Sequence, residues 1–186
     1  MKLLLTSCGL ETKEIEKVFL TMLSKETEQA KALFIPTAAI DEEAKAVLPK
    51  CLEDLTKVGF QKTNIETCDI TYGLPQQSTE SYDVVYITGG NTEFLMKAMV
   101  KSGFNKIIEE YIRNGGIVIG VSAGAMIFAK CVRKNLKYLH AYLEVHVEPK
   151  SKCIKQGKYS TRRIRKVKLG NEQAIIVNEK DFQVIG

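Results

Sequence analysis

Apolar residues fall into two kinds of run along this chain. Unbroken runs at residues 3–5, 32–35, 84–87 and 117–121 carry no charge and are rich in Leu, Ile and Val, which predicts strands buried on both faces. Between them the apolar positions recur at helical spacing. Ile15, Val18, Phe19, Met22 and Leu23 form one stripe, and Ala44, Val47, Leu48, Leu52, Leu55 and Val58 form a second. Pro36 stops the second strand, Asp41 opens the second helix and Gly59 closes it. Further helical patterns run over 92–100 and 104–113, the latter ended by Asn114-Gly115-Gly116. A weaker strand is predicted at 65–68. Residues 174–177 and 183–185, separated by Asn178-Glu179-Lys180-Asp181, predict a closing hairpin. Beyond Cys131 the pattern becomes less regular.

Strands that alternate with amphipathic helices predict an α/β fold: a three-layer sandwich with a mostly parallel central sheet and a C-terminal β-hairpin. Right-handed crossovers then gather the loops that follow the strands along one carboxyl edge, where open α/β sheets bind ligands. With 186 residues the whole of 1–186 fits one domain, large enough to bury a core with no disulfide or metal. A hydrophobic fraction of 45% and a charged fraction of 26% exclude the disordered and fibrous classes. The run at residues 3–5 meets polar positions too soon for a signal peptide, and no stretch is long enough to span a membrane. Cys8, Cys51, Cys68, Cys131 and Cys153 are odd in number and form no C-x-x-C pair, which points to reduced thiols in a cytoplasmic protein. Cys8, near the end of the first strand, could face a site.

Charge changes the picture only near the end of the chain. Residues 1–148 hold 17 basic and 19 acidic side chains, against 10 and 3 in 149–186. From Pro149 to Asn171 there are nine Lys or Arg residues and no acid. Such a segment is either a solvated surface or an attractor for an anionic partner.

Candidate chemistry centres on Gly120-Val121-Ser122-Ala123-Gly124, a G-x-S-x-G pattern directly after a buried strand and before the helical run at 125–129. That context is what a nucleophile elbow requires, because the serine must be lifted above the sheet edge on a strained turn. The helix that follows would aim free N–H groups and its positive dipole end at a developing oxyanion. A second signal, Ile87-Thr88-Gly89-Gly90-Asn91-Thr92, ends another buried strand. Its glycine pair could bring Gly89, Gly90 and Asn91 to a ligand and add an oxyanion donor to the amide of Ala123; a plain turn with Thr92 capping a helix explains the same residues. A serine nucleophile needs a base, and only His140 and His146 are available. Alternation over 142–148 would place Leu143, Val145 and Val147 inward and His146 on the other face with Glu144 and Glu148, which favours His146. For the orienting acid, Glu172, Glu144 and Glu148 remain open.

Taken together, 87–92, Gly-x-Ser-Ala-Gly-Ala at 120–125, Phe34-Ile35-Pro36-Thr37 and the Gln-Ala-Ile-Ile-Val hairpin resemble the aspartyl dipeptidase (dipeptidase E) and cyanophycinase family of serine peptidases. The resemblance implies a class I glutamine amidotransferase-like (flavodoxin-like) fold and a Ser-His-Glu triad. Ser122 would be the nucleophile, His146 the base, Glu172 the acid, and Gly90 and Ala123 the oxyanion donors. It implies no cofactor and no metal, a small peptide with an N-terminal aspartyl residue as substrate, and an arginine for its carboxylate, with Arg162, Arg163 and Arg165 on offer. A homodimer fits this picture, whereas a membrane or a nucleic acid does not. The stretches on either side of His146 are shorter than in typical members. The competing reading is therefore a catalytically degenerate member that binds an anionic partner through its basic 150–168 segment.

Overall fold

The computed structural model of the chain describes residues 1–148, 153–160, 165–178 and 181–186. Its centre is an eight-stranded sheet. The strands are β1 (Lys2–Thr6), β2 (Ala32–Ile35), β3 (Ile65–Thr67), β4 (Val84–Ile87), β5 (Ile117–Val121), β7 (Gly157–Ser160), β9 (Ala174–Val177) and β10 (Asp181–Ile185), in the order β3-β2-β4-β5-β1-β9-β10-β7. The five from β3 to β1 are mutually parallel, and the β9–β10 hairpin adds antiparallel strands beyond β1. Two short strands, β6 (Tyr142–Glu144) and β8 (Lys166–Lys168), pair in parallel as a separate ribbon.

Period-two alternation explains why the four apolar runs are strands. Leu3, Leu5, Leu33, Ile35, Val85, Ile87 and Val118 face one core, whereas Leu4, Ala32, Phe34, Val84, Tyr86, Ile117 and Ile119 face the other. Helices α3 (Thr92–Ser102) and α4 (Phe104–Arg113) cover the first face through Leu95, Met96, Met99, Phe104 and Ile108. Helices α1 (Lys13–Met22) and α2 (Glu42–Lys57) cover the second through Ile15, Phe19, Cys51 and Leu55. The result is the three-layer α/β sandwich that the alternation of strands and helices predicts. Each fully buried Leu, Ile or Phe in these layers stabilises by about 1.5–3 kcal/mol over its exposed state.

Two local expectations change. The cap of α3 is Asn91, whose Oδ1 accepts from the Phe94 N–H at 2.9 Å, rather than Thr92. The helix after the elbow, α5 (Ala123–Met126), is a single turn. Beyond it the carbonyls of Ile127 and Phe128 accept from Leu136 and Leu139, and Lys130 donates to Ala141, so tertiary bonds pull the chain out of the helix. Its dipole is correspondingly short, and any oxyanion binding rests on individual amides.

Candidate active site

Three neighbouring strands, β4, β5 and β1, end side by side, and the loops at their carboxyl ends carry Gly89, Gly90, Ser122, Ser7 and Cys8. Ser122 follows β5 with φ 48° and ψ −107°, a conformation that L-residues avoid and that holds only where surroundings enforce it. Here the enforcement is backbone on both sides. The Ser122 N–H donates to Thr6 O at 3.0 Å, and Ser122 O accepts from Ala125 and Met126. The flanking glycines are required by proximity: a Cβ on Gly120 would lie 2.4 Å from Gly124 O, and one on Gly124 would lie 2.2 Å from Ile87 O.

Gly124 donates to Thr88 O, while the Ala123 N–H has no partner among the described residues and remains available to a developing oxyanion. The amides of Gly89 and Gly90 are likewise unpartnered among the described residues. Gly90, at φ 133°, lies so close to the loop after β2 that a Cβ would sit 2.1 Å from Ala38 O. The Asn91 side chain is taken up in capping α3, and Asn91 does not line the cleft.

His146 is brought to Ser122 by a break in the predicted strand. Leu169 N–H donates to Glu144 O, as a parallel ladder requires, but the return bond to Leu169 O comes from Val147 instead of His146. One residue is thereby inserted, a bulge that takes His146 to φ 58° and re-aims its side chain. The displaced His146 N–H donates to the Oγ of fully buried Ser7, at 2.8 Å. The imidazole Nε2 then lies 3.0 Å from Ser122 Oγ. Its Nδ1 lies 3.1 Å from Asn171 Oδ1 and 3.4 Å from Cys8 Sγ. An amide oxygen only accepts, so Asn171 places the proton on Nδ1 and leaves the Nε2 lone pair facing the serine.

Glu172 does not occupy that place. Asn171 and Glu172 are the central residues of the turn closed by the Gln173 N–H to Gly170 O bond, and adjacent turn residues project differently, so only one of them reaches the ring. Glu172 is exposed and makes no hydrogen bond to His146 among the described residues. Nor does Glu144 join the histidine. It bridges Lys166 at 2.6 Å and Lys168 at 3.4 Å, and the Lys166 bond holds its carboxyl below the usual range. Glu148 and His140 are exposed and outside the cleft. Arg162 and Arg163 lie outside the described residues, and Arg165 is exposed.

The cleft beside Ser122 has a volume of about 210 Å³. One wall is α2, through Val47, Leu48 and Lys50, and Lys50 is ion-paired to Glu11 at 3.0 Å. Burial pushes the Cys8 thiol up, and Cys51, also in the wall, is pushed up to about 11, so both stay protonated near neutrality. That leaves the serine hydroxyl, with an imidazole nitrogen at 3.0 Å, as the side chain of the cleft best placed to be activated. Among the described residues no cluster of three or more His, Cys, Asp or Glu side chains is placed to hold a metal ion, and no helix is long and apolar enough to cross a membrane.

The profile of Peptidase family S51 matches residues 3–139. The chain belongs to peptidase family S51. That match includes the elbow and the Gly89-Gly90 loop but ends before His146 and Asn171. Among relatives, an uncharacterized peptidase of Listeria monocytogenes is 34% identical over 94 residues, 50% of this chain and 46% of the relative. Peptidase E of Salmonella arizonae is 29% identical over 102 residues, 55% of this chain and 43% of that one. The chain spans about half the length of the curated relatives it matches. The crystal structure of a candidate Peptidase E protein from Listeria monocytogenes EGD-e superposes with a TM-score of 0.73 at 26% identity, covering 100% of this chain and 98% of that one. A peptidase from an acI-B1 actinobacterium, at 14% identity and TM-score 0.66 over 99% of this chain and 86% of the other, shares the fold.

Proposed function

We propose that this S51 chain is a serine peptidase that cleaves small peptides through an acyl-enzyme on Ser122. The observation that carries the reading is the 3.0 Å contact between His146 Nε2 and the hydroxyl of a serine held at φ 48°. In the first half-reaction the Ser122 Oγ–H bond breaks, its proton passes to Nε2, and Oγ attacks the scissile carbonyl carbon. The negative charge that gathers on the carbonyl oxygen is received by the Ala123 amide, with Gly89 or Gly90 as second donor. The imidazolium returns the proton to the departing amine as the C–N bond breaks. Water then repeats the sequence on the ester and releases the acid. Asn171 fixes the tautomer throughout, and because it is neutral it orients the ring without the full charge compensation of a carboxylate.

An N-terminal aspartyl residue is the finer substrate reading. It is what the resemblance to the aspartyl dipeptidase family implies, and it is supported by Lys50, which lines the cleft and could exchange Glu11 for a substrate carboxylate. The competing view, a binding protein acting through the basic 150–168 segment, is disfavoured because Lys166 and Lys168 of that segment already pair with Glu144.

A fluorophosphonate probe tests the serine, with adduct mapping by mass spectrometry and a panel of Asp-X against neutral dipeptides for the substrate. Labelling at Ser122 that is lost in Ser122→Ala is the expected result. Folded wild type that takes up no probe would sink the peptidase reading, and equal hydrolysis of the two dipeptide sets would remove the aspartyl preference.

A further inference from the structure

A hollow larger than the serine cleft lies away from Ser122. A groove of about 510 Å³ runs between one face of α3 and the turn at 132–134. Its α3 side presents Glu93, Met96, Lys97, Val100 and Lys101, positions i, i+3, i+4, i+7 and i+8, so the groove follows the helix axis for about 12 Å. The floor is apolar: Met96, Val100 and Val132, with Val100 38% exposed. The opposite wall is held in shape by Asn135, whose Nδ2 donates to Val132 O at 2.8 Å and whose Oδ1 accepts from Lys137 N–H.

Charge lines both sides of the groove. On α3, Lys97 faces Glu93 at 3.9 Å. Lys101 on the helix and Arg133 and Lys134 on the turn also line it, and none of these three has an ion-pair partner among the described residues. An apolar trough rimmed by unneutralised cations matches a ligand with an apolar body and one anionic end. The volume is that of a small-molecule site, and the eight lining residues are far fewer than the roughly 20–30 a side of a stable protein interface.

We propose that this groove binds a single-chain anionic amphiphile, its carboxylate head on the unneutralised cations of the rim and its alkyl tail laid along Met96, Val100 and Val132. The site is separate from the serine cleft and does not depend on the peptidase reading, since α3 forms its wall whatever Ser122 does.

Titration calorimetry of the full chain with sodium decanoate below its micelle-forming range tests the proposal. Decanoate is expected to bind at one site, with decanol, decyltrimethylammonium and acetate each at least tenfold weaker. Lys101→Gln/Arg133→Glu, both exposed side chains that leave the core intact, should weaken decanoate at least tenfold while fluorophosphonate labelling of Ser122 keeps its wild-type rate. Val100→Asp should abolish binding. Decanoate that gives no heat, or that binds the charge variant or decanol as strongly as the wild type pair, would overturn the proposal. So would sedimentation showing a dimer that these substitutions dissolve while decanoate does not bind, because the groove would then belong to a second copy of the chain.

Discussion

Ser122 and His146 face each other across 3.0 Å, and both hold positive φ, yet they are fixed in opposite ways. Ser122 sits at the end of a central strand, between β4 and β1, and its turn is enforced by main chain on either side. His146 sits on a bulge at the edge of a two-stranded ribbon and is fixed by side chains distant in sequence: Ser7 beneath its amide, Asn171 and Cys8 at its ring. On the proposed reading, a nucleophile held by backbone depends most on its flanking glycines, whereas a base held by side-chain contacts can be detuned one hydrogen bond at a time.

The largest effects should erase the distinction. Ser122→Ala and His146→Ala are each expected to lower kcat at least about 10³-fold, and the double variant no further, because the pair acts as a unit. Additive losses in hydrolysis assays would show that the two residues do not share a step. Next comes Gly120→Ala. Its new Cβ must displace Gly124 O, so a destabilisation of about 1–3 kcal/mol is expected in urea denaturation, together with lost labelling. Unchanged stability and labelling would mean that the elbow is looser than the contact distances require.

On the histidine side the expected losses are smaller and confined to catalysis. Ser7→Ala removes the acceptor under the His146 amide, worth about 1–1.5 kcal/mol, so kcat should fall about tenfold with KM little changed. Asn171→Ala should do the same, and Asn171→Asp, which keeps an acceptor on Nδ1, should restore the rate. If the Ala variant is silent and Glu172→Ala is not, the orienting group is Glu172 after all.

How much of this the sequence discloses follows the same division. The runs at β1, β2, β4 and β5 are legible because strands buried on both faces tolerate no charge, and the elbow is legible because its glycines and serine are adjacent in the chain. His146 is reachable because there are only two histidines and alternation over 142–148 favours the second. The bulge that aims it is not written locally: alternation over 142–148 predicts a continuous strand, and it is the bond to Ser7, 139 positions away, that takes His146 out of the ladder. Asn171 after Gly170 reads as an ordinary turn former, so its contact with Nδ1 leaves no local signal. The shortness of α5 is hidden for a related reason. Its residues favour helix, and carbonyl contacts made from 136, 139 and 130 onwards end it.

The smallest expected effect concerns the loop that carries Ser7 and Cys8. It is tied to α2 by Asp54, a buried carboxylate whose Oδ2 accepts from the Leu10 N–H at 3.1 Å and from Tyr86 OH at 2.5 Å. Burial raises the Asp54 pKa above its ordinary value, against the lowering effect of those two hydrogen bonds. With the folded pKa above the unfolded one, the contribution of this group is fully present below the unfolded pKa and is lost as pH rises through the folded value. Wild type should therefore lose stability relative to Asp54→Asn as pH is raised from about 4 to 7, the ordinary carboxylate range upward. Urea midpoints of both proteins across that range measure it, and the subtraction removes every group the two share. An advantage of wild type that grows with pH would mean that the hydrogen bonds outweigh burial. In that case the loop beneath His146 is held by a charged carboxylate, and the histidine side of the site is as firmly built as the serine side.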